Sequence, residues 1–201
     1  MSRSRLWAFV MALWILVWYA PVFGQQQMPE GWDRYLGHPR GPYRGRIVDA
    51  DTKVPLPGAV VVALWRRDRV YPFQVNSENY AVRETVTDSE GRFVMEVRDI
   101  EEGAPRRTHK PEFLVFLPGY GAFPHRQTTP RGFTAEVFYG AGTTVALPRL
   151  AKREERLQNL DRFGPYDFSK SPQREVPRLI EAINEERLAL GLNAYPSAET
   201  D

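Results

Sequence analysis

The sequence predicts a mainly β fold, a seven-stranded antiparallel sandwich followed by a helical C-terminal extension. Three observations carry this. Short apolar segments recur between residues 43 and 149, divided by Pro, Gly and Asp turn signals, as in a sandwich of this size. Around Asp88-Ser89-Glu90-Gly91 the apolar positions alternate in the two flanking segments, the pattern of a hairpin. Past Leu150 the apolar spacing lengthens to that of a helix.

Residues 1–24 have the order of a secretory leader: Arg3 and Arg5, the apolar run Leu6 to Ala20, then Pro21 to Gly24 with a small residue at the cleavage position. Cleavage is expected before Gln25. The alternative is an uncleaved anchor through residues 6–23, whose length is near the minimum for spanning a bilayer. Residues 25–42 are rich in Gln, Gly and Pro and read as a linker.

Residues 43–149 hold the strands. Arg44 to Asp49 is the first, and Gly58 to Trp65 the second, whose unbroken apolar run marks a central strand covered on both faces. Between them Pro55 and Pro57 cannot donate to a ladder. In the next pair, Val82 and Val86 share one face while Phe93, Met95 and Val97 alternate with polar neighbours. The turn between them places Asp first and Gly last, as a type I turn with a left-handed glycine prefers. Phe113 to Leu117, Phe133 to Tyr139 and Thr143 to Leu147 complete the seven.

Residues 150–201 form the extension. Ala151 to Phe163 is charged and free of glycine, with Leu157 and Leu160 at helical spacing from Leu150. After Gly164-Pro165, Ser171-Pro172 offers a cap and a first helical turn, although Pro177 could displace the start. Val176, Leu179, Ile180 and Ile183 form a stripe expected to dock on the sheet, and Gly191 is the stop.

Composition excludes several function classes. Removing residues 1–24 takes away Arg3 and Arg5 and no acidic residue, leaving 25 basic against 25 acidic side chains, so nothing draws the mature chain to nucleic acid. The chain has no Cys, hence no disulfide, no thiolate and no acylated Cys beside the leader. The 177 residues after the leader suffice for a core without staples.

Four ordered elements carry a resemblance to a known family: Gly45-Arg46-Ile47-Val48-Asp49, Pro55 to Val61, Thr87-Asp88-Ser89-Glu90-Gly91-Arg92-Phe93, and Pro118-Gly119-Tyr120. Across residues 43–149 the chain resembles the carboxypeptidase regulatory-like domain. That likeness implies a transthyretin-like Greek-key sandwich with a non-catalytic accessory role. Arg66 to Tyr80, Gly119 to Arg131 and the helical tail depart from the family pattern, so what is particular to this chain is expected there.

The same likeness draws attention to His109-x-x-Glu112, the spacing of the zinc pair in the catalytic domain of zinc carboxypeptidases. A catalytic zinc also needs a third ligand and a base in a deep cleft. The segment is expected to be a solvated loop leading into the Phe113 strand. Asp49, Asp51, Asp88 and Glu90 suggest a calcium cage, but Asp in turns ordinarily bonds the backbone. No Gly-x-Ser-x-Gly or Gly-rich phosphate loop occurs. No catalytic residue, metal or cofactor is expected.

Aromatics gather in the departing segments, with Tyr71, Phe73, Tyr120 and Phe123 as the candidate binding surface, set against the simpler role of covering the ends of the sandwich. The expected function is an exported or periplasmic, non-catalytic module for protein interaction or envelope assembly. The alternative is a carbohydrate-binding module using the loop aromatics. The partner is then another exported protein or a glycan, with a membrane involved only if the leader is retained.

Overall fold

In a computed structural model the structure describes residues 41–124, 138, 143–161 and 176–195, all within one unit, Arg34–Asp201. The chain is mainly β with two three-stranded sheets and a few helices. The strands are β1 (Tyr43–Asp49), β2 (Val60–Tyr71), β3 (Gln74–Val86), β4 (Arg92–Met95), β5 (Glu112–Phe116) and β6 (Thr143–Leu147). The helices are the four-residue α1 (Arg98–Glu101), α2 (Arg153–Asp161) and α3 (Pro177–Ala189). The leader, most of the linker, Ser171-Pro172 and all of the Phe133 to Tyr139 segment except Phe138 lie outside the described residues, so six of the seven expected strands are described.

One sheet has the order β4-β1-β6, the other β3-β2-β5. Ile47, Phe93, Met95, Val145 and Leu147 of the first share a single core cluster with Val61, Ala63, Trp65, Phe113 and Val115 of the second. Phe138 sits at its centre, with edge-to-face contacts to Phe93, Phe113 and Phe123 at centroid distances of 5.2, 4.7 and 5.8 Å. Two of the polar rings buried here share one partner. Glu101 accepts bonds from the Tyr43 hydroxyl (2.7 Å) and the Trp65 indole (3.3 Å), which lets both rings enter the core without a lost hydrogen bond.

Two expectations about pairing are corrected. The β1–β6 pair is parallel, from Gly45 beside Thr143 to Asp49 beside Leu147, so the strands are not all antiparallel. A parallel neighbour must arrive by a long connection, and β6 is far from β1 in sequence. The Asp88–Gly91 turn has the expected form: Gly91 donates to the Asp88 carbonyl at 2.9 Å with φ +70°, and Asp88 Oδ1 accepts from the Glu90 and Arg92 amides. Yet β3 and β4 belong to different sheets, so this turn is the corner between sheets and not a hairpin. The turn chemistry is local, whereas sheet membership is decided by what each strand meets beyond it.

β2 is central, as its apolar run predicts, and each face has its own cover. Val61, Ala63 and Trp65 enter the shared core, while Val60 and Val62, with Leu114 and Phe116 of β5, meet Leu179, Ala182 and Ile183 of the C-terminal helix and Val176 just before it. α3 starts with Pro177 at its first turn and is stopped after Ala189 by Gly191 (φ +74°), beyond which the Leu192 amide reaches back to the Arg187 carbonyl. Its N-terminal amides are capped from another element: Glu84 of β3 accepts from Arg178 (2.9 Å) and Leu179 (3.1 Å). Among the described residues no helix is long and apolar enough to cross a membrane.

Candidate functional site

The departing segment Arg66 to Tyr80 is not a loop. β2 and β3 run on past the core as a ladder from Arg66 beside Asn79 to Tyr71 beside Gln74, closed by Pro72-Phe73. The ladder slips by one residue where the arm leaves the core: Ala81 faces Trp65 and Asn79 faces Arg66, leaving Tyr80 as a bulge. Both faces of the arm carry polar residues, which is why its strand character was hidden in the apolar pattern.

Side chains stiffen the arm. Opposite each other on one face, Arg67 and Glu78 form an ion pair that Arg69 joins at 2.6 Å, with the Arg67 guanidinium over the Tyr80 ring. The bonds from Arg67, then Arg69, hold the Glu78 carboxyl below its usual range, and Glu78 raises Arg69. Along the edge of β2 away from β3, Thr108 bridges Arg67, and the Asp68 and His109 amides bond the carbonyls of Arg107 and Arg66. His109 Nε2 lies 2.9 Å from Asp68 Oδ1, and the Asp68 side chain is only 9% exposed. This corrects the expectation of a solvated loop: His109 braces the base of the arm. Among the described residues no group of three or more His, Cys, Asp or Glu side chains could hold a metal ion.

The tip is apolar and open. Phe73 is 100% exposed, and Val70 and Val75, paired across the ladder, are more than half exposed beside the partly exposed Tyr71. Among the described residues, four of the eight large exposed apolar side chains fall within residues 70–75, so the apolar surface is concentrated at one place.

The four candidate binding residues therefore separate. Tyr71 and Phe73 come together at the tip. Tyr120 and Phe123 are buried, at 9% and 1% exposure, and do not belong to that surface. Phe123 exchanges both backbone bonds with Val115 at the outer edge of β5, which directs its ring into the core against Phe138. Tyr120 is drawn in by pairing of its loop with the chain after β6: Gly121 donates to the Pro148 carbonyl and Leu150 to that of Gly119. Trp65, at the end of the apolar run of β2, is fully buried.

The same loop is held from behind by the C-terminal helices through charges the apolar pattern does not reveal. Arg156 of α2 forms a two-pronged pair with Glu186 of α3 (2.7 and 2.6 Å), and Glu186 Oε2 also accepts the Gly119 amide at 2.9 Å. Glu186 raises the Arg156 guanidinium above its usual value through these bonds. Asn159 accepts from the Ala122 amide and donates to the Tyr120 carbonyl. Asp49 and Asp88 serve turns. Asp49 Oδ1 accepts the Asp51 and Thr52 amides at 2.9 Å each, and chiefly the Thr52 bond keeps this carboxyl below its ordinary range despite its burial.

No protein-family model matches the chain, and no curated protein or solved structure is significantly similar to it.

Proposed function

We propose that this chain is an exported, non-catalytic binding module that engages another protein of its compartment through the β2–β3 arm. One observation carries the reading: an apolar tip, with Phe73 wholly in solvent, stands at the end of an ion-paired arm. A soluble fold gains nothing from holding a phenylalanine there, and a partner pocket would. The finer architecture that goes with this reading is the transthyretin-like, seven-stranded Greek-key sandwich of the family resemblance, with Phe133 to Tyr139 as its remaining strand. Export rests on the basic, apolar and small-residue order of residues 1–24.

Magnitudes restrict the form of the interface. Burying Phe73, Val70 and Val75 gives about 1.5 to 3 kcal/mol each, while association costs about 4 to 15 kcal/mol. The tip is thus an anchor, and polar contacts along the arm must supply the rest. Sugar stacking has lost two of its four rings, because Tyr120 and Phe123 are buried.

A photo-crosslinking residue placed at position 73 should capture one defined protein in the exported fraction, and the same residue at Glu90 should not. Phe73→Ser should abolish co-purification of that protein with the unfolding midpoint unchanged. Equal capture from both positions, or capture that survives Phe73→Ser, would move the binding surface away from the arm.

A further inference from the structure

Away from the arm, the turn after β1 and the Tyr120 loop enclose a cleft of about 460 Å³. Leu56 and Val54 give it an apolar side, Asp51 and Thr52 a polar rim, and Arg149 its cation. We propose that this cleft binds the carboxylate of a small ligand with an aliphatic body, and that Arg149 takes the carboxylate.

The case starts at the buried Asp49. With Oδ1 occupied by two amides, Oδ2 accepts the Tyr120 hydroxyl proton at 3.2 Å. A phenol has one proton, so the same oxygen is left to accept, and it takes Arg149 Nη2–H at 3.1 Å. The Arg149 guanidinium also lies 5.4 Å from the centre of the Tyr120 ring. These two contacts fix an exposed guanidinium that makes no direct ion pair among the described residues, although the Tyr120 hydroxyl and, more weakly, the nearby Asp49 carboxylate raise it. Among the described residues only one of its five donors is engaged, which leaves the planar fork that matches a carboxylate. Tyr120 thus acts as a positioning residue through its hydroxyl, with its ring buried.

The surroundings choose among anions. Asp49 and Asp51 lie beside the single cation, which opposes a dianion such as phosphate more than a monocarboxylate. Leu56 and the exposed Val54 offer cover to an aliphatic group, and the volume falls within the range for small-molecule sites. A cation finds little here, because the Asp49 oxygens are already engaged.

The carboxylate could belong to a free acid or to the C-terminus of a peptide, and titration of the purified chain followed by amide chemical shifts distinguishes them. The probes are isovalerate, N-acetyl-leucine and N-acetyl-leucinamide. At least one acid should saturate at millimolar concentration with shifts around Asp51, Val54 and Tyr120, and the uncharged amide should bind at least about tenfold more weakly. Tighter binding of N-acetyl-leucine identifies a peptide end, and tighter binding of isovalerate a free acid. Arg149→Gln should weaken the acids about tenfold, with Arg149→Lys restoring only part because the fork is lost. Arg149 is exposed, so an unchanged unfolding midpoint will show both variants folded. Equal binding of acid and amide, no saturation by either acid below about 50 mM, or indifference to Arg149→Gln would overturn the proposal.

Discussion

Gly91 holds the corner between the sheets because nothing else fits. Its φ is +70°, and a Cβ built there would sit against the Ile47 carbonyl oxygen and 3.1 Å from the Leu56 nitrogen, both backbone atoms that cannot move aside. Gly91→Val should therefore destabilise by at least about 1 to 3 kcal/mol, lowering the midpoint by about 2 to 4 °C per kcal/mol in a chain of this size. Glu90→Ala removes only the exposed pair with Arg92 and should stay within about 0.5 kcal/mol. Similar thermal midpoints for the two would contradict this corner geometry. Asp49 offers a second test at the same scale. Since its folded carboxyl is held below the ordinary value of 3.8, its contribution is present above about pH 4 and is lost as the pH falls toward the folded value. The urea midpoints of the native chain and Asp49→Asn should differ at pH 7 and converge as the pH falls below 3.8 toward the folded value. A gap that stays constant with pH would mean that the charge of Asp49 contributes nothing.

Among the elements, the least legible contacts are those that tie the C-terminal helices to the sheets. Arg156 and Glu186 are 30 residues apart, and nothing in the spacing of charges marks them as partners. Periodicity does predict the face of α3: Leu179 and Ile183 are buried as expected, and Ala182 and Glu186 complete the stripe. The start read at Ser171-Pro172 is displaced, since the helix begins at Pro177, the residue that could move it, whereas its stop was legible in Gly191, whose signal acts through the backbone of its own turn. The arm escaped notice for the opposite reason. Apolar alternation appears only where one face is buried, and Arg67, Asp68, Arg69, Asn76 and Glu78 put polar groups on both faces. The burial of Tyr120 and Phe123 fits the covering role weighed for the loop aromatics, but which rings take it was hidden, since that depends on pairing with Arg149 and Val115 and not on neighbours in sequence. Arg156→Ala should leave Glu186 buried with only the Gly119 amide, at a cost of about 3 kcal/mol. Hydrogen exchange should then speed up together at Gly119, Ala122 and the amides of Leu179 to Ile183. Faster exchange in α2 alone, with these amides still protected, would mean that the pair does not join the helices to the loop.

For the molecule as a whole, the division into a sandwich of residues 43–149 and an extension of residues 150–201 is a division of sequence and not of stability. The extension covers the second face of the β3-β2-β5 sheet, where Val60, Val62, Leu114 and Phe116 would otherwise meet water. It also supplies Glu186 and Asn159, which hold the loop carrying Tyr120. Tyr120 in turn reaches Asp49 at the end of β1, so a line of contacts runs from α3 to the opposite sheet. Uncovering four core side chains at about 1.5 to 3 kcal/mol each would cost about 6 to 12 kcal/mol, comparable to the entire stability of a domain. A chain ending at Leu150 should therefore lack a cooperative unfolding transition and should aggregate through that bare face, even though every described strand is intact. Adding a separate peptide of residues 151–201 should restore the transition in proportion to its concentration, because a ligand that binds only the folded state stabilises it by mass action. A truncated chain that unfolds cooperatively with an unchanged midpoint would show that the sheets stand alone and that the helices serve some purpose other than their support.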